Sequence, residues 1–122
     1  MTTMTDVRTI GVTVRDQDAA LDFYVGTLGF EKRLDAPISP TQRWVEVAPR
    51  GATTSIALTA GQPDGPTDTG IRFTVADAET ERSDLAARGV AVGDLLRWGE
   101  VPPMFEFDDP DGNHFYVVED AS

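Results

Sequence analysis

The chain is predicted to fold as an α+β protein in which one strand–helix–three-strand module is written twice. Three observations predict it. Residues 9–16 (TIGVTVRD) can be laid over residues 70–77 (GIRFTVAD) with Ile, Thr, Val and Asp at matching offsets. Each copy is followed by a stretch of helical periodicity that stops at a glycine, Gly29 in the first and Gly89 in the second. A segment dense in Gly and Pro, residues 61–68, stands between the copies and reads as a connector.

Each element has its own reason. The repeated segment alternates apolar with small or polar residues, the signature of a half-buried strand. It ends in Asp16 or Asp77, placed to cap a helix by accepting from its first free backbone N–H groups. A first helix is expected over residues 17–28. Ala20, Tyr24 and Leu28 fall there at i, i+4 and i+8, with Leu21 and Val25 completing one stripe. The second helix is expected over residues 78–88, through Leu85 and Ala86. Three strand-like runs follow each helix: residues 30–34, 43–47 and 53–59, then residues 90–98, 104–107 and 114–119. One module alone could not bury both its helix and its sheet. Residues 1–122 are therefore expected to form a single domain, with modules at about 7–60 and 69–119.

Composition excludes several function classes. A length of 122 residues with 40% hydrophobic and 8% aromatic residues suits one globular domain. No stretch is apolar for long enough to cross a bilayer, so no membrane partner is expected. The first residues have neither the basic start nor the apolar middle of a signal peptide, and a cytoplasmic location is expected. With zero cysteines there is no disulfide framework, thiol nucleophile or zinc–thiolate cluster. A net charge of −11 argues against nucleic acid, because nothing basic is concentrated to neutralise phosphates. The same charge has the sign that attracts a cationic small molecule, but the acids are scattered, which favours solubility as the plainer reading. There is no Gly-rich phosphate loop and no Gly-x-Ser-x-Gly elbow.

The most specific motif is the tail, residues 105–119 (FEFDDPDGNHFYVVE), with Asp109-Pro110-Asp111-Gly112-Asn113 as a tight turn between two strands. Together with Ala20-Leu21-Asp22-Phe23-Tyr24 and Leu28-Gly29-Phe30 it resembles the vicinal oxygen chelate (glyoxalase/bleomycin-resistance/dioxygenase) superfamily, from about Val7 to Glu119. The resemblance implies a curled mixed sheet around a concave cavity and a homodimer. Enzymes of that family hold a divalent metal with His or Glu from the first and fourth strands of each module. Those positions correspond here to Thr9, Ala57, Gly70 and Tyr116, none of which is a usable ligand. No metal and no other cofactor is therefore expected. A relocated set, His114 with Glu46 and Glu106, has the right donor types and is the alternative metal site.

Strand alternation sorts the remaining side chains. Ile10, Val12, Val14, Ile71, Phe73 and Val75 should pack beneath the helices. The candidate ligand-binding residues are Thr9, Trp44, Glu46, Arg72, Met104, Glu106, His114 and Tyr116, with Gly11, Thr13, Ser55, Gly70 and Thr74 on the same face. Such a mixture of aromatic walls and a few polar groups is the usual make-up of a small-molecule site. Each has a plainer reading. Trp44 and Trp98 also suit a core or dimer interface, Arg72 suits an internal pair with Glu46 or Glu106, and Gly11 and Gly70 suit strand curvature. Three functions fit these residues. One is a metal-free protein that binds or sequesters a cationic or aromatic small molecule. Another is a lyase, isomerase or dioxygenase using a relocated metal or acid–base chemistry by Glu46 or Glu106. The third is a protein-interaction domain.

Overall fold

A computed structural model describes residues 1–120, in which two compact units, Met1–Pro63 and the residues from Asp64 onward, each carry one module. The first contains β1 (Thr9–Val14), α1 (Gln17–Leu21), β2 (Glu31–Ser39), β3 (Gln42–Ala48) and β4 (Ser55–Ala60). The second contains β5 (Thr67–Val75), α2 (Ala78–Ala87), β6 (Ala91–Val92), β7 (Leu96–Trp98), β8 (Val101–Asp108) and β9 (Asn113–Glu119).

The repeat extends to topology. The first sheet has the order β1-β4-β3-β2, and the second has β5-β9-β8-β6 with β7 also paired to β8. In both, the first and last strands of the module run parallel while the other pairings are antiparallel. The mixed sheet expected from the sequence is thus built as two sheets of matching order.

Local chemistry sets the helix starts. Asp16 accepts from the Ala19 N–H at 3.0 Å and Asp77 from the Thr80 N–H at 3.1 Å, each cap being worth about 1 kcal/mol. The Thr80 N–H also holds the Asp77 carboxyl below its ordinary range.

The first helix departs from expectation. After Leu21 the backbone widens into a π-helical segment, Asp22–Thr27, in which the Leu28 N–H reaches the Phe23 carbonyl five residues back. The wider turn breaks the expected stripe. Ala20 and Tyr24 are buried, whereas Val25 is turned toward solvent. Gly29, at φ 80°, then closes the segment in a conformation that suits glycine.

Two strand limits also differ. β5 begins at Thr67, inside the stretch read as connector, because Thr67 and Asp68 pair with Asn113 and His114. The expected run over 90–98 is split into β6 and β7. Between them Gly93 donates to the Glu106 carbonyl at 2.8 Å while its own carbonyl accepts from Arg82 at 2.6 Å.

The core follows the predicted parity. Val12, Val14, Tyr24, Val45, Val47, Ile56 and Leu58 are buried in the first unit. In the second, Phe73, Phe107 and Phe115 form a triangle with ring centroids 5.2–6.2 Å apart, and each aromatic side chain fully buried contributes about 1.5–3 kcal/mol. With Phe105, Phe107, Phe115 and Val117 committed to the core, alternation turns Met104, Glu106, Asp108, His114 and Tyr116 to the other face.

Candidate functional site

In the first unit a polar row crosses three strands. Thr9 and Ser55 are register partners on β1 and β4, and their hydroxyls lie 3.1 Å apart. The Ser55 hydroxyl donates to Glu46 Oε1 at 2.6 Å, and the Trp44 indole N–H donates to Glu46 Oε2 at 2.7 Å. Glu46 is only 6% exposed, yet both carboxylate oxygens have a donor. The bonds from Ser55 and then Trp44 hold its carboxyl below the ordinary range, so it is buried as the anion. Trp44 remains 36% exposed, and Trp98 in the second unit 56%, so neither is a core aromatic.

The second unit assembles a larger set around Tyr116. The phenol O–H donates to Asp68 Oδ2 at 2.9 Å, and this bond is the main reason the Tyr116 pKa lies above its ordinary value. The Asp68 carboxyl is correspondingly lowered, first by Tyr116 and then by the Gly70 N–H. Arg72 lies over the Tyr116 ring, its guanidinium carbon 4.5 Å from the centroid, and Nη1 donates to the Gly70 carbonyl at 2.9 Å. The ion pair considered between Arg72 and Glu106 does not form; the arginine stacks, and Glu106 turns to the histidine.

His114 stands edge-on to Tyr116 with centroids 5.2 Å apart. Its Nδ1 lies 2.6 Å from Asp108 and its Nε2 3.3 Å from Glu106. Burial alone pulls its pKa down, but the bonds to Asp108 and Glu106 outweigh it and the net shift is upward. A depression of about 260 Å³ opens here, lined by Ala91, Val92, Gly93, Glu106, Phe107, Asp108 and His114. Met104 is half-buried on the same face of β8, opposite Leu96 and Val118.

The eight candidates therefore gather as Thr9, Trp44 and Glu46 in one unit, and Arg72, Glu106, His114 and Tyr116 in the other with Met104 along the same strand face. Sequence reasoning missed Asp68 and Asp108. Asp108 shares strand parity with Glu106 and was legible on that ground, but it lies just past the strand expected over residues 104–107. Asp68 was placed in the connector.

The bend in β5 explains its reach. The pairing register with β9 shifts between Asp68 and Arg72, and Gly70 adopts φ 70°, a left-handed conformation unfavourable to other residues. Asp68 Oδ1 accepts from the Gly70 N–H at 3.0 Å, and the Thr69 hydroxyl donates to the His114 carbonyl at 2.7 Å. The bulge thus brings the Asp68 carboxylate to the Tyr116 hydroxyl.

A metal does not suit the four inferred ligand positions. Ala57 is a buried methyl, and Gly70 has no side chain. The Thr9 hydroxyl is engaged with Ser55, and Tyr116 is held as the neutral phenol. Among the described residues, no group of three or more His, Asp or Glu side chains is arranged to hold a metal ion.

Residues 7–117 match the family profile of the Glyoxalase/Bleomycin resistance protein/Dioxygenase superfamily. The chain belongs to this superfamily. The uncharacterized protein YetH of Bacillus subtilis (strain 168) is 31% identical over 121 residues, which is 93% of this chain and 97% of that one. A superfamily member from Sphaerobacter thermophilus DSM 20745 is similar in structure with a TM-score of 0.85 and 37% identity, over 96% of this chain and 98% of the other. TnmS3, an antibiotic binding protein from Streptomyces sp. CB03234, matches with a TM-score of 0.87 and 34% identity over 98% of each chain.

Proposed function

We propose that this superfamily member binds a cationic or aromatic small molecule without a metal and without transforming it, as a sequestering protein. The observation that carries the proposal is the state of the four inferred ligand positions. Two have no donor atom, one hydroxyl is engaged by Ser55, and the phenol of Tyr116 is kept neutral by Asp68. The likeness to an antibiotic binding protein over nearly the whole chain supports the same reading. Thr9, Trp44, Glu46, Arg72, Met104, Glu106, His114 and Tyr116 are the residues assigned to the ligand face.

A second reading is an acid–base enzyme, a lyase or isomerase, favoured by one observation. His114 sits between Glu106 and Asp108 beside an open depression, an arrangement able to pass a proton. We assign the chain to the cytoplasm and to a homodimer, with light scattering as the check on assembly.

The test joins metal analysis to a ligand screen. Protein purified from metal-supplemented medium is expected to hold well below one equivalent of divalent metal, and its melting temperature is expected to be indifferent to chelator. A stoichiometric ion that chelator removes with loss of stability overturns the metal-free reading. A thermal-shift screen of cationic and aromatic compounds should raise the melting temperature for some, since ligand at a hundred times Kd adds about 2.7 kcal/mol. Silence across the whole screen overturns the binding reading, and turnover of a bound compound replaces it with the second.

A further inference from the structure

We propose that Glu46 is a positioning residue that fixes Trp44 as a stacking platform, and that the ligand group taken there is a flat heteroaromatic cation. The inference rests on the small-molecule reading above and goes on to name the ligand's chemistry at one place.

Trp44 and Glu46 are two residues apart on β3 and share a face of the sheet. Side chains at that spacing ordinarily stand side by side with no bond between them. Here the indole N–H is drawn along the strand onto Glu46 Oε2 at 2.7 Å. The carboxylate is in turn pinned from the far side by Ser55, which touches Thr9. The anchor is buried and the ring it holds is partly exposed, 6% against 36%. Burying a carboxylate costs several kcal/mol unless donors meet it. What this one holds in place is an indole at the surface.

Two chemical consequences follow. The indole has a single polar handle, and it is spent on Glu46. The exposed part of Trp44 therefore offers a ligand only its ring, which selects for stacking over hydrogen bonding. A charge-assisted bond to an anion also pushes electron density into the donor ring, and an electron-rich indole is the best aromatic partner for a cation. The net charge of −11 acts in the same direction by concentrating cations near the surface. Arg8 and Arg33 act against it near Glu46, although Arg33 is tied to Glu31 and to the Pro49 carbonyl.

The experiment uses the full chain carrying Trp98→Phe, which leaves Trp44 as the one tryptophan. Three probes of similar size and different charge are titrated: 9-aminoacridine (cation), acridone (neutral) and acridine-9-carboxylate (anion). The cation is expected to bind more tightly than the neutral probe by about fivefold or more, within the range of cation–π contacts, and the anion most weakly. Trp44→Leu should weaken the cation by about tenfold. Glu46→Leu should weaken it by about fivefold and flatten the near-ultraviolet circular dichroism of Trp44, as expected of an indole released from its anchor. Glu46→Gln keeps an acceptor for the indole without the charge. It should retain the near-ultraviolet band and the acridone affinity while losing the preference for the cation, a split that a merely structural role does not produce. If Glu46→Leu fails to fold, Glu46→Gln decides. Equal affinity for the three probes overturns the charge class, unchanged binding by Trp44→Leu overturns the platform, and unchanged binding with an unchanged near-ultraviolet band in the Glu46 variants overturns the positioning role. If none of the probes binds, the inference falls, while the wider thermal-shift screen decides separately whether the chain binds small molecules at all.

Discussion

Replacing Asp109 by Ala removes the side chain that closes the β8–β9 turn. Asp109 is 5% exposed, and its Oδ1 accepts from the Asp111 N–H at 2.9 Å and the Asn113 N–H at 2.8 Å. Its Oδ2 accepts from the Asn113 side-chain amide, also at 2.8 Å. Asn113 is itself 2% exposed, so water cannot easily replace what its two donors lose. Hydrogen bonds to a charged group contribute about 1.5–3 kcal/mol each, and the Asp111 N–H is open enough to find water. Two bonds to buried donors therefore put the cost of Asp109→Ala at about 3–6 kcal/mol, a large fraction of the roughly 5–15 kcal/mol that holds a domain together. Asp109→Asn keeps one acceptor oxygen and should lose roughly half as much. Urea denaturation followed by far-ultraviolet circular dichroism measures both, provided the slope with denaturant is unchanged. A loss below about 1 kcal/mol for the alanine variant refutes the assignment of the turn to Asp109. The turn matters to the site because it sets the register in which Asp108 faces His114 and Glu106 faces Tyr116.

Other predictions follow from the same geometry. Gly70→Ala meets no atom within 4 Å of the added Cβ, so its cost is the left-handed backbone at φ 70° alone, about 1–2 kcal/mol by denaturation; a neutral outcome removes the bulge from the account of Asp68. His114, whose folded pKa lies above its ordinary value, stabilises the fold fully below the unfolded pKa and loses that contribution as pH rises through the folded one. Stability measured across that window should fall with pH in the native chain and lose this component in His114→Gln. Because His114 is the one histidine, its imidazole NMR resonance reports the titration directly, and a midpoint below the ordinary value contradicts the contacts with Asp108 and Glu106.

Much of the fold was legible in the sequence because its signals are local. The repeat of residues 9–16 in 70–77, the capping carboxylates of Asp16 and Asp77 and the Gly29 and Gly89 stops depend on neighbours a few residues away. Strand parity is local as well, and it put His114 and Tyr116 on one face, where their rings meet; Phe115 and Val117 between and beyond them are buried. The first helix was misread because a π-helical turn changes the period without changing the composition, so Val25 left the buried stripe.

Sequence alone determined the two-module plan, the superfamily resemblance and the absence of metal-binding side chains at Thr9, Ala57, Gly70 and Tyr116. The tertiary structure decided which same-face residues meet. Asp68 reaches Tyr116 across 48 positions and Thr9 reaches Ser55 across 46, contacts fixed by the pairing of strands distant in the chain. A register shift around Gly70 redirects a carboxylate, and no periodicity in β5 announces it. Alternation tells a side chain which face it is on; only register and backbone irregularity tell it whom it touches there.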